Sequence, residues 1–486
     1  MLTHPTPTSR CRLGIGRCDI TPPVGIYHRF WGAAKHDCAT GVHRPLLATV
    51  LIVEPLDECA ADDRVVLVAL DHCILRPPEL AELTAAVCAR IGEDASRVTI
   101  VFSHTHSGGN LCRDRVDLPG GDLIVPYSEA LPDRIAAAYD KALDSLQTAT
   151  LTYAETGCDM GRQRDFWDDD QGRYVCGFNP AGVCDQTVIV VRATGEQGQT
   201  IATMVNYACH PTTLAWENTL ISPDYIGALR ETIEEAAAAP CLFLLSPCGD
   251  VGPRDGFVGD PAVADRNGRQ LGHAALSAWE SLPPAGHDFH YAGPVLSGAT
   301  LGAWEYRLHP PERKQQTETF RRRRWQIPLE YLNGLPTAET VKIELASLVA
   351  EEQSARDIGE ESAAHELRVL AERKRRLLER IAPLPDGNQY PFTAEMVQLG
   401  DAIWIAVEGE PYNQLQRELR RRFPQVPIMI AVLSGGARCS YLPRREDYGQ
   451  PLYQAEIALL APGSLETLIE ELGRQIDEWT SLDRAE

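Results

Sequence analysis

The chain has 486 residues, of which 44% are hydrophobic and 23% are charged, and its formal net charge is −22. This is the composition of a globular protein, and the length suits one large domain or two smaller ones. The negative charge argues against nucleic acid as a partner, because it offers phosphates no overall attraction. No run of about 18 apolar residues predicts a membrane span, and no apolar signal segment opens the sequence, so we expect a cytoplasmic protein.

Short apolar runs rich in β-branched residues predict strands through the first half of the chain. They lie at 47–54, 64–70, 97–103, 186–193, 200–208 and 240–246. Helical patterns between several of these runs predict helices at 77–92, 126–146 and 224–236. Strands that alternate with helices favour an α/β fold of mixed α+β content, in which helices cover mixed sheets with substantial parallel character.

The segment from 312 to 382 is rich in Glu, Arg, Ala and Leu, and it predicts a helical hairpin insertion that breaks near Gly359. The basic run from Arg321 to Arg324 falls in this segment and is interpreted as a solvated helix face rather than a binding patch. The hairpin is either a lid, a contact arm for a homo-oligomer, or a packed surface element.

After the hairpin, strands are predicted again at 395–409 and 427–435, with a helix between them. No internal repeat or low-complexity linker divides the chain. We therefore expect a single domain over residues 1–486 that carries the hairpin as an insertion. A C-terminal β-sandwich domain is not expected.

The stretch VFSHTHSGGN, residues 101–110, sets two histidines at the carboxyl end of a predicted strand. If the strand persists, its period of two turns His104 and His106 to the same face. Ligands of α/β sheets bind at this end of the strands, and Gly108 and Gly109 let the backbone turn close to a ligand. The pair indicates a metal site, although local hydrogen bonds could also satisfy both imidazoles.

Further polar side chains follow later strands. His210 lies directly before a proline, which favours an extended backbone at His210. It is a candidate zinc ligand, because zinc needs several N or O ligands from different elements. Asp250 is the carboxylate of a glycine-containing loop, which is typical either of an active site or of an ordinary turn. Glu408 and Glu410 end another strand, and either could be a ligand or could serve the N-terminus of the following helix.

Nine motifs occur in the order seen in the neutral/alkaline, non-lysosomal ceramidase family, which the chain resembles over roughly residues 13–450. They are GIGRCDITPP, GVHRPL, SHTHSGG, FNPAGVCD, ACHPTTL, ISPDYIGALR, CGDVGPR, VEGEPYNQLQRELR and YLPRREDY. The resemblance implies a catalytic domain that holds one zinc ion and hydrolyses the amide of an N-acyl substrate by attack of metal-activated water.

The resemblance also implies residue roles, motif by motif. The zinc ligands would be His104, His210, Glu410 and Tyr441. His106 would be a catalytic residue that stabilises the oxyanion. Independently of the resemblance, a carboxylate such as Asp250 or Glu408 is the candidate proton relay. The substrate-binding candidates are His43, Arg44, Gly252 and Arg254. At the position of Gly252 the family carries a serine that its activity requires.

The sequence therefore predicts a zinc-dependent hydrolase of a linear N-acyl amide, with a small-molecule or lipid-like substrate. Two alternatives stay open. The same metal site could cleave an ester or a lactam in a small polar substrate, because water activation is not specific to one bond. The chain could instead be a degenerate, non-catalytic metal-binding protein, since the family serine is absent.

Overall fold

The computed structural model describes residues 2–57, 63–436 and 438–485. Its strands are β1 (Thr3–His4), β2 (Thr8–Asp19), β3 (Gly41–Val42), β4 (Leu47–Glu54), β5 (Val65–Leu70), β6 (Val98–Phe102), β7 (Gln147–Gly157), β8 (Gly161–Gln163), β9 (Asp165–Asp168), β10 (Arg173–Cys176), β11 (Thr187–Gly195), β12 (Thr200–Tyr207), β13 (Leu220–Ile221), β14 (Cys241–Leu245), β15 (Val251–Pro253), β16 (His287–Ser297), β17 (Ala299–Leu308), β18 (Phe320–Glu330), β19 (Gln389–Leu399), β20 (Ala402–Val407), β21 (Glu410–Pro411), β22 (Ile428–Ala431) and β23 (Tyr441–Leu442). Its helices are α1 (Pro77–Ile91), α2 (Ile124–Asp144), α3 (Tyr225–Ala237), α4 (Pro261–Glu280), α5 (Pro311–Gln316), α6 (Ala338–Asp357), α7 (Glu361–Ile381), α8 (Gln414–Arg422), α9 (Tyr453–Glu456) and α10 (Ser464–Ala485). The predicted mixed α/β class is confirmed.

The largest sheet has eight strands in the order β14-β12-β11-β7-β2-β4-β5-β6. Only the two outer pairs, β12 with β14 and β5 with β6, are parallel, and the five pairs between them are antiparallel. The expected substantial parallel character is therefore wrong for the centre of this sheet. The reason is connectivity, because a short link joins β11 to β12 as an antiparallel hairpin, whereas helices α1 and α3 form the crossovers that parallel pairs require.

The eight-stranded sheet is buried on both faces. Helices α1 to α4 cover one face, and the four-stranded sheet β18-β19-β20-β22 packs on the other. Leu51 and Met204 of the large sheet meet Val397 and Met429 of the small sheet in one apolar cluster. Helices α8 and α10 cover the outside of the small sheet, so the layers run helix, sheet, sheet, helix. Burial on both faces explains why the strands form near-continuous apolar runs in the sequence.

The helical hairpin is shorter than expected. Its two helices are α6 and α7, and Gly359 adopts a φ of 80° between them, as a break at this glycine requires. The segment from Arg321 to Arg324 belongs instead to strand β18, which pairs with β19 along its whole length, so the interpretation of this basic run as a helix face is wrong. Pairing with a distant strand overrides the local composition here.

The predicted strand at 395–409 is in fact a β-hairpin of β19 and β20, which turns at Gly400 with a φ of 49°.

Across the described ranges of the chain, no helix combines the length and the apolar character that crossing a membrane demands.

Candidate metal centre

Four polar side chains converge where the two sheets meet. Each follows the carboxyl end of a strand in a parallel pair: His104 follows β6, His210 follows β12, Glu410 follows β20 and Tyr441 follows β22. The units β5-α1-β6, β12-α3-β14 and β20-α8-β22 are strand–helix–strand crossovers, and the carboxyl ends of their strands are where α/β sheets bind ligands. The large sheet thus supplies the two imidazoles, and the small sheet supplies the carboxylate and the phenol.

The backbone turns sharply at the first histidine of the HxH pair. Strand β6 ends at Phe102, and His104 has a φ of 67°, which is unusual for a residue other than glycine. The expectation that His104 and His106 share one face of a persisting strand is therefore wrong. The two rings still lie together, with centroids 4.9 Å apart, because the turn after the strand folds them toward the same centre.

Backbone carbonyls orient both candidate imidazole ligands. His104 Nδ1 donates to the carbonyl of Cys73 at 2.8 Å, and His210 Nδ1 donates to the carbonyl of Cys248 at 2.7 Å. The opposite nitrogens, both Nε2, lie 3.3 Å and 3.0 Å from the same atom, Oε2 of Glu410. A carbonyl bond that fixes the proton on Nδ1 leaves Nε2 with the lone pair that a metal ligand needs.

Burial and charge set the protonation of this group. His104, His210 and Glu410 are all buried, and their ligand atoms lie within 4.8 Å of one another. Burial lowers the pKa of His210 to about 4, with the charge of Arg164 as the next cause. Burial opposes the charged form of Glu410, but His104 and His210 hold the pKa of its carboxyl well below the usual value. One anion and a neutral imidazole thus form part of a set that a divalent cation can bind.

Tyr441 stands beside Glu410 because the two residues are register partners in the parallel pair β21–β23. Its hydroxyl lies 3.3 Å from His210 Nε2 and accepts a hydrogen bond from the Arg164 guanidinium at 3.2 Å. The same guanidinium stacks 5.6 Å from the centre of the phenol ring. Burial, followed by the charge of Glu410, raises the pKa of Tyr441 well above its usual value, and Arg164 opposes that rise.

His106 occupies an aromatic corner next to the centre. Its ring lies 4.8 Å from Phe30 and 5.2 Å from Trp31, measured between centroids. Burial, followed by the charges of His104 and His210, holds the pKa of His106 well below its usual value. Its Nε2 is buried and has no hydrogen-bond partner among the described residues, so this atom is available to a bound molecule.

A second set of metal-compatible atoms, Cys73, His104 and His106, overlaps the first. Burial raises the pKa of the Cys73 thiol, which favours the protonated sulfur that metals bind poorly. His104 Nδ1, the nitrogen 3.4 Å from this sulfur, already donates to the Cys73 carbonyl. The set of His104, His210 and Glu410 is therefore the better candidate.

The other predicted carboxylates point elsewhere. Glu408 accepts a hydrogen bond from the Tyr390 hydroxyl at 2.6 Å, because Gly409 with its φ of 66° breaks the alternation of the strand. Asp250 is buried, and its Oδ1 accepts from the backbone N–H of Asn413 at 2.6 Å. Burial raises the pKa of Asp250 to about 6. It holds the loop that follows Glu410, and its role as a proton relay stays a prediction.

Three of the predicted substrate-binding residues lie in charge clusters. Arg44 forms ion pairs with Glu231 and Asp265, and His43 lies 3.1 Å from Asp265. Arg254 is partly exposed and pairs with Asp255 at 3.4 Å. Their contact with substrate stays a prediction.

At Gly252 the fold has room for a side chain. A Cβ there would lie 3.7 Å from Arg164 Cδ and 3.8 Å from Thr212 Oγ1, which is ordinary contact. Both Thr212 Oγ1 and Arg164 Nε are buried and lack a partner among the described residues. The serine that the family carries would thus fit and would meet two unsatisfied polar atoms.

We expect the Gly252→Ser variant to unfold at the same or a higher urea concentration than the wild type, with a gain of up to about 1 kcal/mol from the new hydrogen bond. Gly249→Ser is the matched control, because its Cβ would lie 2.6 Å from the Glu410 carbonyl oxygen. That variant should lose about 2 kcal/mol or more. A comparable loss in both variants would show that the site of Gly252 is closed to serine.

Arg164 and the carbonyls of Cys73 and Cys248 are functional groups that the sequence did not reveal. Arg164 lies on the link between β8 and β9, and its contacts with Tyr441 and with the Gly249 carbonyl are made across the fold. Main-chain carbonyls carry no residue signature, so only the structure identifies them.

Comparisons with known proteins show which family this chain resembles in sequence. Residues 11–243 match the family described as "Neutral/alkaline non-lysosomal ceramidase, N-terminal", a range that contains His104 and His210. Neutral ceramidase 1 of Arabidopsis thaliana is 24% identical over 239 residues, which are 46% of this chain and 29% of that protein. The chain thus matches less than a third of the length of that curated relative.

Two solved structures share the fold. A structure described as "Ceramidase complexed with C2" superposes with a TM-score of 0.61 at 17% identity, covering 96% of this chain and 74% of the other. The neutral ceramidase from Pseudomonas aeruginosa superposes with a TM-score of 0.59 at 16% identity, covering 97% and 74%. At these identities the superpositions establish the architecture of the chain.

Proposed function

We propose, from the premise that this chain is a distant member of the neutral/alkaline, non-lysosomal ceramidase family, that it is a zinc-dependent hydrolase of a linear N-acyl amide. The bond is the one that its named relatives suggest.

One observation carries the proposal. Two imidazole nitrogens, each with its opposite Nδ1 committed to a backbone carbonyl, face one carboxylate oxygen at 3.0 Å and 3.3 Å in a buried site. Lone pairs that face one another away from water are unfavourable unless protons or a cation lie between them. Two imidazoles and a carboxylate are the donors of catalytic zinc sites, and Tyr441 is a fourth donor beside them.

The chain's own residues would divide the work. Zinc held by His104, His210 and Glu410 would supply Lewis acidity, which lowers the pKa of water and polarises a carbonyl. His106 Nε2, buried and without a partner among the described residues, is the candidate donor to the oxyanion that develops on the amide carbonyl oxygen. Phe30 and Trp31 pack on the His106 ring and hold its position. Arg164 fixes the Tyr441 hydroxyl next to His210.

The test combines metal analysis with a hydrolysis screen. We expect the purified protein to contain close to one zinc per chain and to hydrolyse N-acyl amides, with activity lost in a chelator and restored by zinc. His104→Asn should lose both the metal and the activity, and asparagine tolerates the left-handed backbone that His104 adopts. Substoichiometric metal together with an unaffected His104→Asn variant would refute the proposal. Cleavage of esters or lactams, but of no amide, would keep the metal site and change the bond.

A further inference from the structure

A cavity of about 800 Å³ lies beside the metal centre, between the loop at 27–33, helix α7 of the hairpin and the segment at 453–457. Two of its lining side chains contact the centre. The Trp31 ring lies 5.2 Å from that of His106, and the Tyr453 ring lies 6.1 Å from that of Tyr441. The cavity is therefore one side chain away from the candidate ligands, and the volume suits a small molecule.

The cavity is basic in an acidic protein. Eight of its lining residues are Arg or Lys and three are Glu, a formal balance of +5 in a chain whose net charge is −22. Helix α7 supplies most of these cations. A basic cavity in an acidic surface concentrates anions at its mouth and repels cations.

Most of the neighbouring cations already have carboxylate partners. Glu372 forms ion pairs with Arg115, Arg375 and Arg376. Glu379, the neighbour of Arg380 in the sequence, forms ion pairs with Arg76 and Arg115. These contacts also tie helix α7 to the body of the protein, so the hairpin forms a fixed wall of the cavity.

Two lining cations, Arg373 and Arg380, are exceptions, since in the part of the chain that the structure describes no carboxylate lies within 4.0 Å of either guanidinium. Arg373 is exposed to solvent, whereas Arg380 is partly buried and its Nε is buried without a hydrogen-bond partner. It lines the cavity at the side of Tyr453. Burial lowers the pKa of Arg380, and the phenol groups of Tyr453 and Tyr441 act on it in the opposite direction. A half-buried guanidinium without an anion is costly, and a ligand that carries an anion would offset this cost.

Resting on the proposed amide hydrolysis, we propose that Arg380 binds an anionic group of the substrate, so that the substrate class is an N-acyl amide bearing a carboxylate or a phosphate. The acyl carbonyl would lie at the centre next to His106, and the charged group of the amine part would lie in the cavity. An uncharged amide of the same length would leave Arg380 without a partner.

The experiment compares matched substrates that share one acyl chain. N-acyl glycine is set against N-acyl glycinamide, and N-acyl phosphoethanolamine against N-acyl ethanolamine, with the zinc-loaded protein. We expect at least one anionic substrate to exceed its neutral match in kcat/KM by about 30-fold or more, the ratio that about 2 kcal/mol for one desolvated charge contact gives. The better of the two anions identifies carboxylate or phosphate as the recognised group.

Variants then locate the contact. Arg380→Gln should remove the preference, chiefly by raising KM for the anionic substrates, while Arg380→Lys should restore part of it. Arg417→Gln is the matched control, since Arg417 is exposed on helix α8 and lies outside the cavity. Circular dichroism and urea unfolding verify that each variant is folded.

Binding to chelator-treated protein separates this proposal from the hydrolase itself. Calorimetry with N-acyl glycine and with N-acyl phosphoethanolamine should show binding that Arg380→Gln abolishes. Hydrolysis without any anion preference, unchanged in Arg380→Gln, would overturn this inference and leave the hydrolase standing. Anion binding that depends on Arg380, in a protein that cleaves no amide, would support the anion site and refute the amide hydrolase. If the folded wild type shows no anion binding and no anion preference, the proposed role of Arg380 is also refuted.

Discussion

E410Q should lose its metal: we expect zinc affinity, and hydrolysis with it, to fall by more than about 100-fold, the upper end for residues that only support a ligand. The carboxylate of Glu410 is the single negative charge between the two imidazoles, with Oε2 at 3.0 Å from His210 Nε2 and 3.3 Å from His104 Nε2. Glutamine keeps the shape and removes the charge. Zinc content after dialysis and kcat on an N-acyl amide measure the effect.

E408Q is the matched control, because Glu408 is also buried and lies two residues away but bonds to Tyr390. It should keep a full complement of zinc. Equal metal loss in both variants would mean that the change disturbs the loop after β20 rather than a ligand. Retention of zinc by E410Q would exclude Glu410 from the centre.

E372Q is expected to destabilise the protein by about 2 kcal/mol at neutral pH, since the buried Arg115 loses its bidentate partner and keeps only the longer contacts with Glu379 at 3.3 Å and Asp114 at 3.4 Å. Arg115 is only 1% exposed, and its two terminal nitrogens each lie 2.9 Å from an oxygen of Glu372. Urea unfolding measures the change. E366Q is the control, because Glu366 is exposed on the same helix and should change stability by less than about 0.5 kcal/mol.

The same pair predicts a pH dependence. Although burial opposes its charged form, Arg115 and Arg376 lower the pKa of Glu372 from 4.5 to about 2. A depressed folded-state pKa adds stability that is complete above the unfolded value and is lost as the pH falls through the folded one. The difference in unfolding free energy between wild type and E372Q should therefore shrink between about pH 4.5 and pH 2. A constant difference over that range would contradict the assigned pair.

The sequence predicted the elements of the fold better than their arrangement. Apolar runs located β4, β5, β6, β11, β12 and β14, because burial on both faces removes polar residues from these strands. The direction of pairing depends on the connections, and the same apolar run suits either direction. From the sequence, Arg321 to Arg324 were assigned to a helix, whereas they lie in strand β18, which pairs with β19. A run of arginines has the same composition in a strand as in a helix, so composition could not distinguish the two.

For the candidate site too, the sequence predicted the residues better than their arrangement. His104, His210, Glu410 and Tyr441 were chosen through the family resemblance, and the structure brings them together from four strand ends. The period-two argument failed at the histidine pair, because His104 adopts a left-handed conformation after strand β6. Gly409, which is also left-handed, separates the directions of Glu408 and Glu410. The roles of Arg164 and Arg380 could not be predicted from the sequence. Arg164 is identified by its contacts with distant segments, and Arg380 by the absence of a carboxylate partner among the described residues.

The division of the ligands between two sheets makes the centre a natural reporter of fragment complementation. Two ligands precede residue 286 and two follow residue 320, and the exposed turn of β16 and β17, with Leu296 84% exposed, lies between the two parts. A cut in that turn would break no hydrogen bond of the eight-stranded sheet or of the four-stranded sheet. Neither fragment would then hold more than two of the four candidate ligands, and high-affinity metal uptake by this set would require their reassembly.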